Sequence, residues 1–231
     1  LNTNEDGSIY QFEEKPKQPK SNLASMGIYI FTASKLFKYL TEDDENPNSS
    51  KDFGKDVLPA MLNAGEKMYS YRFSGYWKDV GTISSLWEAN MDLLGEEPAF
   101  DVNDPDWKIH SRNPLAPPEY IGNKAVVGNS LISLGCEIQG TVINSVLSSN
   151  VIIEEGAEVI DSVLMAGSVV RKGAKVVYSI VDENTVIESG ATVGEEKEKG
   201  AGIAVLGRNI TIGAGAVVAG GQILDKDYKG E

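Results

Sequence analysis

The sequence predicts an α/β segment followed by an all-β segment that coils into a parallel β-helix. Strand and helix patterns alternate over residues 8–94, and a 17-residue repeat occupies residues 144–194. Between them, residues 95–120 hold five prolines and no sustained hydrophobic period, which is typical of a connector. We therefore divide the chain into an α/β domain (1–94), a connector (95–120) and a β-helix domain (121–231).

The strand patterns of the α/β domain come first. SIYQFEE (8–14) has alternating apolar residues, and MGIYIFTA (26–33) is a continuous apolar run of the kind expected for a strand covered on both faces. KMYSYRFSG (67–75) predicts a further strand. These few strands look like part of a sheet rather than a whole one.

Three helices are predicted between and after these strands. Residues 34–40 place leucines and a phenylalanine at helical spacing, and residues 51–65 give a second helix that stops at Gly65. Thr82 is a suitable N-cap for a third helix over residues 83–94, whose apolar stripe predicts a core contact.

The repeat consists of three ungapped copies, residues 144–160, 161–177 and 178–194, with a shorter first copy over 129–143. Apolar residues about six apart do not fit a coiled coil or a helical repeat. They predict three short strands per coil, stacked into a triangular prism with small residues at the corners. The interruption 194–205 separates these copies from a last one. The positions in register include Ser145, Ser162 and Ser179, and Gly156, Gly173 and Gly190.

Composition limits the partners. The net charge of −13, from 34 acidic and 21 basic residues, argues against nucleic acid, so a phosphorylated metabolite would need a few local cations. The single cysteine, Cys136, excludes an internal disulfide and fits a reducing cytoplasm. No 18-residue apolar run is present, so neither a membrane span nor a leader is expected.

Four strings in the first domain carry a resemblance to a known family: FEEKP, SNLASMGIYIF, SSKDFGKDVLP and GYWKDVGTISSLWEANMDLL. In this order, and followed by the repeat, they resemble bacterial glucose-1-phosphate adenylyltransferases. The resemblance implies part of a Rossmann-like sheet of the GT-A nucleotidyltransferase type. The repeat is similar to the hexapeptide class of left-handed β-helix.

The family's reaction joins ATP and α-D-glucose 1-phosphate into ADP-glucose with release of diphosphate, a step of glycogen biosynthesis. Family members also carry a glycine-rich loop ending in an arginine and a further magnesium-binding aspartate, and this sequence contains neither string. The resemblance therefore implies the C-terminal portion of such an enzyme, expected to be inactive alone. It also implies a phosphorylated-sugar effector and a homotetramer, or a hetero-oligomer with a related subunit.

The sugar-phosphate residues follow from the same resemblance. Lys15 corresponds to the cation that binds the phosphate of glucose 1-phosphate, Glu14 suits sugar hydroxyls, and Ser25 contacts the hexose. Pro16 fixes the angle of the preceding pair. The local sequence alone favours a solvated surface pair for Glu14 and Lys15, and only the surrounding strings favour the functional interpretation.

Asp79 is the candidate metal ligand. It is expected at the end of an α/β strand, and the resemblance assigns it to Mg²⁺, a cation that prefers oxygen ligands. With Lys15 it forms the predicted catalytic pair. The alternative is an acid that stabilises the dipole of the helix after Thr82.

Other polar residues are interpreted as structural. Asp52 and Asp56 are expected to be capping and surface acids, and the basic cluster 171–175 to be a solvated corner. His110 and Cys136 are each the only residue of their type and offer no metal-ligand set.

Three other functions stay open. An acyltransferase would need a histidine base, and residues 121–231 contain none. A non-catalytic regulatory subunit of the same pathway would keep the fold without turnover. A nucleotidyltransferase that makes UDP- or dTDP-sugars is compatible with these residues, because the base-binding half is not in this sequence.

Overall fold

The computed structural model describes residues 1–13, 17–18, 20–111 and 114–230. The chain folds as two compact units, Leu1–Gly75 and Tyr76–Glu231. Within the described residues, no helix combines the length and apolar character needed to cross a bilayer.

The described part of the first unit contains two short antiparallel strands and three helical segments. Strand β1 (Asn2–Thr3) pairs with β2 (Ile9–Gln11), and a turn at Gly7 joins them with φ +83°. Helix α1 covers Ala33–Glu45, a π-helical turn covers Phe53–Val57, and helix α2 continues over Leu58–Asn63. The helices predicted over 34–40 and 51–65 are therefore confirmed. Their small core consists of Tyr39, Val57 and Met61, packed against Phe31, Leu40 and Met68.

The loop between α1 and the π-helical turn closes both helix ends. The ammonium of Lys51 donates hydrogen bonds to the carbonyl oxygens of Asp43, Asp44 and Asn46 at the end of α1. Asp52 then accepts hydrogen bonds from the first amides of the π-helical turn. A cation at a helix C-terminus and an acid at an N-terminus both stabilise the helix dipoles.

Two predicted strands do not form. Residues 26–32 run without strand pairing, and Ile28 and Ile30 are 74% and 100% exposed. Residues 67–75 make only one antiparallel bridge, between Tyr69 and Ser8. A strand needs the hydrogen-bonding groups of a neighbour, and within the described part of this unit only β1 and β2 pair as strands. The prediction from the apolar pattern is therefore wrong both for the strand pairing of these segments and for the burial of Ile28 and Ile30.

The second unit begins with helix α3 (Ile83–Met91) and continues as a prism of three six-stranded parallel sheets. Face one contains β3 (Tyr120–Ile121), β6 (Glu137–Ile138), β9 (Ile152–Ile153), β12 (Val169–Val170), β15 (Val186–Ile187) and β18 (Thr211–Ile212). Face two contains β4 (Val126–Gly128), β7 (Thr141–Ile143), β10 (Glu158–Ile160), β13 (Lys175–Val177), β16 (Thr192–Val193) and β19 (Val217–Val218). Face three contains β5 (Leu131–Ile132), β8 (Val146–Leu147), β11 (Val163–Leu164), β14 (Ser179–Val181), β17 (Ala204–Leu206) and β20 (Ile223–Leu224).

Strand register confirms the predicted repeat. Glu158 lies beside Lys175, 17 residues later, whereas Glu137 lies beside Ile152, 15 residues later. The first copy is therefore two residues shorter. Thr192 pairs with Val217, so the interruption adds eight residues to one coil without breaking the stack.

The core follows from this register, because equivalent aliphatic side chains point inward in every coil. Along face one, Ile138, Ile153, Val170, Ile187 and Ile212 are all fully buried. Each inward residue therefore packs on its equivalent in the next coil, as expected for a solenoid in which repeats contact only their neighbours.

A ladder of buried serines lines the corner between faces two and three. The hydroxyl oxygen of Ser145 accepts a hydrogen bond from the amide of Ser162, and that of Ser162 accepts one from the amide of Ser179, each at 3.1 Å. The same hydroxyls donate to the carbonyl oxygens of Ile143 and Ile160. The repeated serine thus pairs main-chain groups that the turn would otherwise leave unsatisfied.

Helix α3 packs on the outside of face three. Trp87 is 7% exposed and clusters with Val163, Ile180 and Ile203 of the prism. The helix begins at a capping box in which Thr82 and Ser85 exchange hydrogen bonds. The prediction that Thr82 is the N-cap of this helix is therefore confirmed. It ends at Met91, three residues before the predicted end.

Candidate functional site

The predicted site residues are distributed over both units of the chain. Ser25 lies in the first unit and Asp79 in the second. Glu14 and Lys15 lie outside the described residues, so their assignment stays a prediction.

The Ser25 hydroxyl is held by two neighbours. It lies 2.9 Å from the Tyr29 hydroxyl and accepts a hydrogen bond from the amide of Gly27 at 3.2 Å. Gly27 has φ +72°, a conformation that favours glycine. The turn therefore fixes the direction in which the serine presents its oxygen.

Sequence reasoning missed Tyr29. Its ring stacks on Phe53 with 6.0 Å between centroids and tilts against Phe31 at 5.9 Å. The phenol hydroxyl thus has a fixed direction beside Ser25. A serine followed four residues later by a tyrosine within one apolar run was the available signal.

Asp52 and Asp56 have the capping roles that the sequence predicts. Asp52 accepts hydrogen bonds from the amides of Gly54 and Lys55, at 2.8 and 2.9 Å. Asp56 accepts from the hydroxyl and amide of Ser50 and from the amide of Asp52. These donors, the Ser50 hydroxyl first, lower the pKa of Asp56.

Asp79 lies in a turn just before α3. One carboxylate oxygen accepts a hydrogen bond from the amide of Gly81 at 3.1 Å, and the side chain is exposed. The expected position at the end of a strand is wrong, because residues 67–75 do not form that strand. The carboxylate still has a defined orientation, since it closes its own turn.

The residues before Asp79 are tied to the far end of α3. The ammonium of Lys78 lies 2.8 Å from a carboxylate oxygen of Asp92 and 3.2 Å from one of Glu88. The Tyr76 hydroxyl donates to the same Asp92 oxygen at 2.9 Å. The hydrogen bond from Lys78 lowers the pKa of Asp92, with a further contribution from Tyr76. Desolvation and the bond to Asp92 raise the pKa of Tyr76.

The basic cluster on the prism is paired with acids of the preceding coil. Arg171 lies 2.6 Å from Glu154, and Lys175 lies 3.0 Å from Glu158. The Lys172 amide also donates to Glu154. The hydrogen bond from Arg171 is the main cause of a lowered pKa at Glu154. Arg171 and Lys175 therefore link neighbouring coils, whereas the sequence predicts only a solvated corner for this cluster.

The described part of the chain holds no group of three or more histidine, cysteine, aspartate or glutamate residues that could bind a metal ion. Asp79 nevertheless offers an exposed carboxylate with one oxygen outside the turn hydrogen bond. Mg²⁺ is commonly bound by one or two carboxylates together with substrate phosphates and water. Asp79 fits a single position in such a shell and cannot complete one.

Comparison with protein families divides the chain after α3, whereas the two compact units meet at Gly75 and Tyr76. Residues 1–96 match the family described as nucleotidyl transferase, and residues 118–203 match the GlmU-like C-terminal hexapeptide family. The predicted fold class is thereby confirmed. A nucleotidyl transferase segment precedes a hexapeptide β-helix.

Three curated relatives carry the same name. The chain is 61% identical over 151 residues to a glucose-1-phosphate adenylyltransferase of Clostridium botulinum (strain Alaska E43 / Type E3), covering 65% of this chain and 39% of that protein. Proteins of the same name from Bacillus thuringiensis (strain Al Hakam) and Bacillus anthracis are each 59% identical over 157 residues, covering 68% of this chain. The match spans about two fifths of the length of these relatives.

Proposed function

We propose, from this similarity to glucose-1-phosphate adenylyltransferases, that the chain supplies the sugar-phosphate side of such an enzyme together with its β-helix domain. The complete enzyme would convert ATP and α-D-glucose 1-phosphate into ADP-glucose and diphosphate for glycogen synthesis. Identity near 60% over 151 and 157 residues carries this proposal.

Lys15 is the proposed phosphate ligand. An ammonium close to the sugar phosphate neutralises charge that would otherwise repel the phosphates of ATP. Alignment of the two phosphates then supplies much of the rate enhancement, because phosphoryl transfer needs little covalent assistance. Glu14, which accepts hydrogen bonds when ionised, is the proposed partner of the sugar hydroxyls.

Ser25 is the proposed contact to the hexose. The hydrogen bond with Tyr29 and the amide of Gly27 support this role, because both restrict the hydroxyl to one direction. Restricting a binding group before the ligand arrives reduces the entropy lost on binding.

Asp79 is the proposed ligand of Mg²⁺ in this chain. When bound, the ion would neutralise charge on the substrate phosphates. The exposed carboxylate and its turn support the role, and the remaining ligands would come from a second carboxylate outside this sequence, from substrate and from water.

The remaining expectations belong to the complete enzyme. ATP would be bound together with a further nucleotide-binding segment, and a phosphorylated-sugar effector would regulate turnover. A homotetramer, or a hetero-oligomer with a related subunit, is the proposed assembly. A cytoplasmic location fits a sequence with a single cysteine.

The test is ADP-glucose formation by the complete enzyme, with Lys15→Gln compared against Lys17→Gln, a nearby exposed lysine. A hydrogen bond to a charged group contributes about 1.5–3 kcal/mol. Lys15→Gln should therefore raise the KM for glucose 1-phosphate about 10- to 150-fold and leave the KM for ATP unchanged. Lys17→Gln should change neither.

Each alternative has its own outcome in this assay. A complete enzyme without turnover would favour the regulatory subunit, and use of UTP or dTTP in place of ATP would favour another nucleotidyltransferase. Wild-type kinetics in Lys15→Gln would contradict the site assignment. The isolated chain should form no ADP-glucose.

A further inference from the structure

One corner of the prism holds Tyr178 in a backbone conformation that tyrosine does not favour. In successive coils, the turn between faces two and three places Asn129, Asn144, Asp161 and Tyr178 at φ 41°, 47°, 50° and 45°. Asparagine and aspartate tolerate this left-handed region, whereas a bulky aromatic residue there is a clear outlier. Coil geometry alone therefore does not explain Tyr178.

The Tyr178 ring contacts two side chains outside the three faces of the prism, Trp87 and Lys197. It meets the Trp87 ring of α3 edge-on, with 4.9 Å between centroids and 85° between planes. The ammonium of Lys197, in the interruption of the repeat, lies 4.7 Å from the Trp87 centroid and 5.8 Å from that of Tyr178. Edge-to-face pairing and a cation over a ring are both attractive arrangements.

The same tryptophan is fixed to the backbone of the corner. Its indole N–H donates to the carbonyl oxygen of Asp161 at 2.7 Å. Asp161 occupies the position equivalent to Tyr178 one coil earlier. The helix is thereby bound to two neighbouring coils through one buried side chain.

From Trp87 the fixed contacts continue to Asp79. The capping box of Thr82 and Ser85 sets the start of α3, and the Gly81 amide holds the Asp79 carboxylate. On the other side of Asp79, Lys78 is bound to Asp92. Any displacement of α3 on the prism would therefore carry Asp79 with it.

We propose that Tyr178 and Lys197 are positioning residues for Asp79, acting through Trp87 and α3. The inference rests on the proposed function, in which Asp79 binds Mg²⁺. In this arrangement the β-helix takes part in catalysis without touching substrate, because it fixes the place at which one metal ligand is presented.

Tyr178→Asn separates positioning from folding. Asparagine is the residue found at this corner in the coil of Asn144 and suits the backbone angle. The variant should therefore unfold at the same or a higher urea concentration than the wild type. It nevertheless loses the ring that holds Trp87.

The experiment measures the Mg²⁺ concentration for half-maximal activity of the complete enzyme. Tyr178→Asn should raise it about two- to tenfold, from the known strength of aromatic pairs, with kcat at saturating Mg²⁺ within about twofold of wild type. Tyr178→Phe retains the ring and should behave as wild type. Lys197→Met should give a smaller rise. Lys199→Met is the control and should give none, because the Lys199 ammonium pairs with Glu196, three residues earlier.

Asp79→Asn separates a failure of the Mg²⁺ assignment of Asp79 from a failure of the positioning role of Tyr178 and Lys197. If Asp79→Asn leaves the Mg²⁺ requirement unchanged, the metal assignment itself fails. If Asp79→Asn raises it while Tyr178→Asn and Lys197→Met do not, only the positioning role is overturned. The positioning role would also be overturned if Tyr178→Asn lowered both kcat and the urea midpoint of unfolding. That result would mean that Tyr178 only stabilises the fold.

Discussion

The indole N–H of Trp87 donates a hydrogen bond of 2.7 Å to the main-chain carbonyl oxygen of Asp161, 74 residues away in sequence. This bond joins the helix that follows Asp79 to a corner of the prism. The residues that the sequence assigns to two domains are thus in direct contact at this point, inside one compact unit.

Trp87→Phe tests that contact. The substitution retains a ring but leaves the Asp161 carbonyl without its donor, so we expect a loss of about 1–3 kcal/mol in the free energy of unfolding. Urea unfolding followed by circular dichroism measures it. Trp107→Phe is the control, since Trp107 is 82% exposed and should change stability little. Equal effects of both substitutions would show that the bond is unimportant.

Ser162→Ala tests the buried serine ladder. It removes the acceptor of the Ser179 amide and the donor to the Ile160 carbonyl. A buried main-chain group left unpaired should cost about 1–3 kcal/mol in urea unfolding. Ser189→Ala changes an exposed serine on the same prism and should be close to neutral. A neutral Ser162→Ala would mean that water or a shifted backbone replaces the bond.

Gly194→Ala and Gly173→Ala separate backbone strain from steric overlap. The two glycines have φ +72° and +69°, so both alanine variants carry a similar left-handed strain. A Cβ at Gly173 meets nothing within 4 Å, whereas one at Gly194 overlaps the carbonyl oxygen of Val177. We expect Gly194→Ala to cost about 1–3 kcal/mol more in unfolding free energy. Equal costs would show that the corner relaxes freely.

The ion pair between Asp92 and Lys78 should make the free energy of unfolding depend on pH. Its pKa is lowered in the folded state, mainly by Lys78, so the folded state binds fewer protons there than the unfolded state. The stability gained is present above the ordinary aspartate pKa and is lost as the pH falls through the folded value. The difference in unfolding midpoint between wild type and Asp92→Asn should be constant from about pH 5 to 8 and shrink below about pH 4. A difference independent of pH would contradict the ion pair.

Ser25→Ala tests the proposed hexose contact in the complete enzyme. One neutral hydrogen bond contributes about 0.5–1.5 kcal/mol. The KM for glucose 1-phosphate should therefore rise about two- to twelvefold with little change in kcat. Tyr29→Phe should give a smaller rise, because it only releases the serine hydroxyl. An unchanged KM in Ser25→Ala would remove this residue from the site.

The prism was predictable because its signal is local and repeats. Each 17-residue copy carries the same inward aliphatic positions, so one copy describes its neighbours. The register also placed Asn144, Asp161 and Tyr178 at one position. The aromatic contact of Tyr178 involves a helix distant in sequence, and the repeat gives no information about that helix.

The first unit was predicted less well, for a physical reason. Helices α1 and α2 form from contacts within a few residues, so their spacing sufficed. The apolar run 26–33 becomes a strand only beside another strand, and the described part of the unit offers it none. The Ser25–Tyr29 pair was missed because it depends on a turn at Gly27 rather than on strand alternation.

The eight additional residues in the coil between Thr192 and Val217 leave the pairing of all three faces intact on both sides. Chain length at this corner is thus decoupled from the stacking of the prism. A fluorescent tag or a small folded module inserted between Glu198 and Lys199 should be tolerated, provided that Lys197 keeps its place over Trp87. New modules could therefore be attached at this corner without changing the buried residues of the prism.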